Sequence, residues 1–308
     1  MDTISSLSSQ PGADRVSFVT GATSGIGRAV ALQLARGGDR VIASGRNAVE
    51  GGKVLAHLQA LRPERRHAFV AADLSLLGEA ARLADQVAGL APRLDAIVCC
   101  AGDLSTIPEW TGEQLERSFV LNYLSRYLLV RRLLPQLSAA KSGRVVLVAN
   151  AGRYPDSLEF DDLQYRRGRP GLKVAGRSQF ANDLLAIELA SRLERSAIDV
   201  SCVFPGAFID SGVFRNARGF GPVLRAILIG VQRLLRRSPD WAAQTPVYLA
   251  QSPEARGCNG QFFGPERRPL PVPARARRSD RRSALWAASE TLVATYLPAP
   301  SPGLLWRE

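Results

Sequence analysis

Short β-branched runs alternate with longer stretches of helical periodicity along most of the chain, and no other feature constrains the fold as strongly. The runs are RVSFVT (15–20), RVIASG (40–45), HAFVAAD (67–73), DAIVCCAG (95–102), RVVLVAN (144–150), IDVSCVF (198–204) and GQFFG (260–264). Helical patterns lie between them near 25–37, 47–60, 78–89, 111–138, 172–195 and 240–252. Apolar strands separated by helices bury both of their faces in a parallel sheet covered on each side. The pattern therefore predicts an α/β chain with a doubly wound parallel sheet of about seven strands. No repeat or composition break marks a second domain, so 15–297 reads as one domain, 1–14 as a flexible lead-in and 298–308 as a tail.

The 308 residues are 46% hydrophobic and 22% charged, which is ordinary for a globular chain, but the net charge is +12. Lys53, Lys141 and Lys173 are the only lysines, so 37 of the 40 basic residues are arginine. These arginines are dispersed, which favours solvated cations over a nucleic-acid footprint. The densest run, RRPLPVPARARRSDRR (267–282), is Pro-rich and lacks interleaved aromatics for base stacking, and it reads as a surface connection. Cys99, Cys100, Cys202 and Cys258 have neither metal-ligand spacing nor a disulfide-framework look, and His57 and His67 are the only histidines. No metal site is expected. With no run of ~18 apolar residues and no signal-peptide pattern, the chain reads as a cytoplasmic protein.

TGATSGIG (20–27) follows the first strand and opens the first helix. Gly21, Gly25 and Gly27 let the backbone turn sharply and approach a pyrophosphate held at the helix N-terminus. This spacing resembles the short-chain dehydrogenase/reductase superfamily and its Rossmann-type fold. Further segments carry the resemblance: Asp73-Leu74 after the third strand, CCAG (99–102) where the family has NNAG, Asn122 in FVLNYLS and PGAFIDS (205–211). SLEFDDLQ, FANDLLAIELASRL, WAAQTPVYLA and LWAASETLV are similar to the retinol-dehydrogenase-like branch. The resemblance implies cofactor contacts from Thr20, Gly21, Ser24, Gly25, Ile26, Gly27, Asp73, Leu74, Ala101, Gly102, Pro205 and Gly206. The second strand ends in ASGRN, offering Arg46 and no carboxylate, which favours NADP(H) over NAD(H).

The family's proton chemistry uses a serine ending the fifth strand, and a tyrosine and a lysine four apart on the next helix. Matching FDDLQ and SQFAN to the family puts Asn150 at the serine position, Ala175 at the tyrosine position and Gln179 at the lysine position. Of the usual four residues only Asn122 remains. Tyr154, in the loop after Asn150, and Tyr165 are the other phenols within reach of the crevice, while Lys173 is six residues from Gln179 and on another helix face. Cys99 and Cys100 read as small buried hydrophobes.

Three functions then stay open. The first is an NADP(H)-dependent oxidoreductase that exchanges hydride with a pre-activated hydrophobic molecule, with Asn122 and Asn150 as candidate orienting groups and Tyr154 as the candidate replacement acid among the catalytic residues. The second is a non-redox cyclase or isomerase, and the third a catalytically silent cofactor-binding or partner protein. FGPVLRAILIGVQRLLRRSPD (220–240) stands outside the alternation as a helix apolar on most faces, ending in Arg233, Arg236 and Arg237. It reads as part of a flap (207–240) over an apolar substrate and admits weak peripheral membrane contact. Helices 111–138 and 172–195 offer a face for a homodimer.

Overall fold

The computed structural model describes residues 15–210, 217–235 and 237–298. The expected lead-in 1–14, most of the tail, Arg236 and part of the 207–240 flap lie outside the described residues.

The chain winds as β1 (Val16–Thr20), α1 (Gly25–Arg36), β2 (Arg40–Gly45), α2 (Ala48–Leu61), β3 (Ala68–Ala71), α3 (Leu77–Leu90) and β4 (Ala96–Cys99). A helical run follows, made of α4 (Arg117–Phe119), a π-helical turn (Val120–Leu124) and α5 (Ser125–Arg132), then α6 (Leu134–Ser138) and β5 (Gly143–Val148). The second half is α7 (Lys173–Arg192), β6 (Ile198–Val203), α8 (Pro222–Leu235), α9 (Pro239–Gln251), β7 (Gln261–Phe263), β8 (Pro269–Leu270), α10 (Ala274–Arg277) and α11 (Ser279–Val293). The sheet has eight strands in the order β3-β2-β1-β4-β5-β6-β7-β8, all parallel except β8, which runs antiparallel to β7. The eighth strand is an addition to the expected seven: two residues beginning with a proline carry too little periodicity to be read as a strand.

Successive residues of a strand face opposite sides of the sheet. Phe18, Ile42 and Ile97 accordingly pack into the core under one face, while Val19, Val41, Ala43 and Val98 pack into the core under the other. Chain order reverses between β1 and β4, so a crevice opens beyond their carboxyl ends, where open α/β sheets bind ligands.

Two expectations need correction. The 111–138 pattern is not one helix. It begins at Arg117, where Glu116 caps it by accepting from Ser118 N and Phe119 N at 3.0 and 2.8 Å, and it is interrupted after Arg132, with Pro135 opening a new first turn. The 267–282 run is not merely a surface connection. It holds β8 and α10, and Arg275 donates to Gly152 O (2.6 Å) and Tyr154 O (3.0 Å), clamping the loop after β5.

The face assigned to a homodimer is also occupied, in part, by the chain itself. Trp286 of α11 meets Tyr127 of α5 edge-on at 5.0 Å, Tyr123 bonds Ser289 at 2.7 Å, and Arg192 of α7 lies 4.2 Å over the Trp286 ring.

Candidate functional site

A cleft of about 500 Å³ lies at the β1/β4 reversal and runs from the α1 N-terminus to the loops after β5 and β6. Its first end is built by the glycines. Gly21 and Gly25 have φ of 67° and 51°, the left-handed region where a side chain is strained. A Cβ on Gly27 would stand 2.3 Å from Gly21 O, so only glycine lets this helix start lie against the turn. The first turn of α1 holds no acidic residue, and its cap Ser24 makes no side-chain capping bond. The N–H groups and the positive end of the helix dipole thus face the cleft, as an anion needs.

Thr20 does not line the cleft but supports it. Its Oγ1 accepts from Cys100 N (3.1 Å) and Ala101 N (3.2 Å), tying the end of β1 to the chain after β4. Asp73 is likewise not on the wall. Its carboxylate is held in a local turn by Ser75 N and Ser75 Oγ at 3.0 and 2.8 Å, while neighbouring Leu74 lines the cleft. Gly21, Ser24, Gly25, Ile26, Gly27, Arg46, Ala101, Gly102, Pro205 and Gly206 all line it as well. Arg46 is exposed just beyond β2. The cleft's one lining carboxylate among the described residues, Asp103, is already bound to Arg117 and to Ser118 Oγ.

At the other end the cleft is lined by Ala149, Asn150, Tyr154, Ala175 and Gln179. Tyr154 packs beside the turn holding Ala175: a Cβ on Gly176 would be 3.0 Å from its Cδ1. Burial raises the Tyr154 phenol above its ordinary pKa, so it stays protonated at neutral pH. Tyr165 and Lys173 are elsewhere. Tyr165 is buried under the Arg177 guanidinium, 4.4 Å from its ring, and Lys173 is exposed and paired with Glu159 at 2.9 Å. Arg177 is itself fully buried and paired with Glu116 at 3.1 Å.

Asn122 stands behind the wall rather than in it. It is fully buried in the π-helical turn; its Oδ1 accepts from Asp103 N at 2.8 Å, and its Nδ2 donates to Asp103 O and Ser178 Oγ at 3.2 and 3.1 Å. Its amide is fully committed to positioning the chain after Gly102 against α7. Cys100 is on the wall and Cys99 just behind it; burial pushes their thiols up to about 12 and about 11, so neither is a thiolate nucleophile at neutral pH.

Sequence reasoning did not single out Arg126, Leu104 or Phe204, which line the cleft, and it reached Phe208 and Ile209, which also line it, only as part of PGAFIDS and the flap. Arg126 carried a usable signal, since it lies four residues after Asn122 and so on the same helical face. Leu104 and Phe204 had none, because positions at and beyond strand ends have no period.

The family model for short chain dehydrogenases matches residues 15–158. Polyprenol dehydrogenase of Mus musculus is 32% identical over 306 residues, covering 97% of this chain and 89% of that protein. Retinol dehydrogenase 13 of Homo sapiens is 31% identical over 290 residues, covering 92% of this chain and 85% of that protein. Among solved structures, a short chain dehydrogenase from Escherichia coli CFT073 complexed with NADPH superposes with a TM-score of 0.62 at 25% identity, covering 82% of this chain and 96% of that one.

Proposed function

The chain belongs to the short-chain dehydrogenase family of oxidoreductases, in its retinol-dehydrogenase-like branch, and from that premise we propose that it is NADP(H)-dependent, exchanges hydride with a pre-activated hydrophobic molecule, and works without the family's serine–tyrosine–lysine relay. The observation that carries this reading is the pairing of an intact glycine cradle with a cleft end lined by Asn150, Ala175 and Gln179. Gly21, Ser24, Gly25, Ile26 and Gly27 would hold the pyrophosphate of a nicotinamide cofactor, Leu74 would pack on the adenine, and Pro205 and Gly206 would border the nicotinamide. Exposed Arg46, with no carboxylate at the end of β2, suits a 2′-phosphate.

A nicotinamide cofactor held there would supply or accept the hydride. The chain's part is to orient the acceptor and exclude water. Asn150, Gln179 and the protonated Tyr154 offer neutral hydrogen bonds, and Leu104, Phe204, Phe208 and Ile209 offer apolar walls. Reducing a simple ketone builds an alkoxide that needs a proton donor. Burial makes Tyr154 a poorer acid, so the lining favours an iminium, a quinone-like ring or a strongly conjugated acceptor.

The flap supports a hydrophobic substrate and peripheral membrane contact. Helix α8 is apolar on both sides: Leu228, Ile229 and Val231 are half-buried, as is Arg225, which donates to Ala217 O, while buried Gln232 donates to Ile209 O. Val223, Leu224, Ile227 and Leu234 point outward with 71%, 49%, 56% and 84% exposure. A contiguous apolar face set beside the cleft suits a lipid-like ligand or surface. No helix among the described residues is long and apolar enough to cross a membrane.

The test is NADPH oxidation across quinones, iminium salts, conjugated enals and simple ketones. Oxidation confined to activated acceptors is expected. Further, Ala175→Tyr with Gln179→Lys and Asn150→Ser is expected to extend turnover to simple ketones. Wild-type reduction of simple ketones would refute the missing relay. Binding without turnover on any acceptor would assign a silent binding protein, and turnover without cofactor oxidation a non-redox catalyst.

A further inference from the structure

Arg126 is a buried cation without a carboxylate. Its side chain rises from α5 beneath the turn at Ala101–Gly102; the residue is 3% exposed, yet it lines the cleft. Nη2 donates to Ala101 O at 2.8 Å and Nη1 to Asn182 Oδ1 at 3.1 Å, both neutral acceptors. Other buried arginines differ: Arg177 meets Glu116 and Arg144 meets Asp199. Among the described residues no ion pair is made to Arg126. The acidic groups in its field are the thiols of Cys99, Cys100 and Cys202, which burial keeps protonated. Arg126 therefore projects an uncompensated positive potential into the cleft it lines.

Its position says which end of a ligand it serves. Asn182, its partner, lies three residues beyond Gln179 on α7 and hence on the same side of that helix. Cys202, within its field, lies on β6 shortly before Pro205. Gln179 lines the cleft where the resembled family has lysine, and its buried Oε1 has no hydrogen-bond partner. The position on α7 where the resembled family has a cation thus carries a neutral amide, and the cation lining this cleft comes from α5.

We propose that Arg126 provides the positive potential at the nicotinamide end of the cleft, and that this makes the protein hold the reduced cofactor more tightly than the oxidised one. The proposal rests on the nicotinamide reading above. The oxidised ring carries a positive charge and the reduced ring none, whereas the phosphates are common to both forms. Comparing the two forms therefore isolates the interaction between Arg126 and the ring. At an effective dielectric of ~20 and a separation of ~10 Å, two unit charges disfavour each other by about tenfold in binding.

The experiment is titration of the full chain with NADPH and with NADP⁺, by nicotinamide fluorescence and calorimetry, for wild type, Arg126→Lys and Arg126→Met. Wild type is expected to bind NADPH about tenfold more tightly than NADP⁺. Arg126→Lys should keep that ratio and Arg126→Met should bring it near unity. A ratio unchanged in a folded Arg126→Met overturns the proposal and leaves the cofactor reading standing. If Arg126→Met does not fold, wild type alone decides, because equal binding or a preference for NADP⁺ refutes the proposal. No binding of either nucleotide by wild type overturns both readings together.

Discussion

Asp183 predicts how stability depends on pH. The residue is 1% exposed on α7, and both carboxylate oxygens lie 3.0 Å from Gly152 N, with Cys202 Sγ 3.9 Å away. Burial raises its pKa to about 7, against ~3.9 in an unfolded chain. Between those values the folded state holds a proton that the unfolded state has released, so unfolding free energy falls as pH rises. A gap of about three in pKa is worth about 4 kcal/mol in total, of which about 3 kcal/mol falls between pH 5 and 8. Asp183→Asn keeps an oxygen for Gly152 N and removes the ionisation. Its Tm relative to wild type should therefore rise by roughly 5–8 °C on going from pH 5 to pH 8, at about 2 °C per kcal/mol for a chain of this size. Thermal unfolding followed by circular dichroism measures it. A Tm difference that is the same at both pH values would refute the reasoning, since packing alone carries no such slope.

Gly27→Ala should lower NADPH affinity more than tenfold with an unchanged far-UV spectrum, because its Cβ meets Gly21 O at 2.3 Å; unchanged affinity would dismiss the cradle. Arg46→Glu should reverse the preference between NADPH and NADH in competitive titration, as a carboxylate repels the 2′-phosphate and accepts from a ribose hydroxyl. Leu224→Glu with Ile227→Glu should abolish cosedimentation with anionic phospholipid vesicles while leaving NADPH binding intact, since both side chains are exposed on the outward face of α8.

The sheet was legible because its central strands are buried on both faces and so write near-continuous apolar runs, as Ala96–Cys99 does. The glycine turn was legible because its geometry admits few residues. Helix 111–138 misled because its apolar periodicity persists across Glu116 and Leu133, where capping and a new first turn, not hydrophobicity, set the ends. At the site, resemblance pointed to several lining positions such as Gly21 and Gly25, but also to Thr20, Asp73 and Asn122, which stand off the wall, and it gave no partnerships. Nothing in the chain order shows that Asn122 spends its amide on Asp103 and Ser178, that Tyr165 is held by Arg177, or that Arg126 rises under Gly102. Each depends on contacts between residues a dozen or more positions apart in the chain.

The most direct measurement is titration of the purified protein with NADPH and with NADH by nicotinamide fluorescence. Micromolar binding of NADPH, with NADH at least tenfold weaker, is the predicted result. Failure to bind either nucleotide would contradict the account, because the glycine cradle, Arg46 and the cleft would then have no ligand in common.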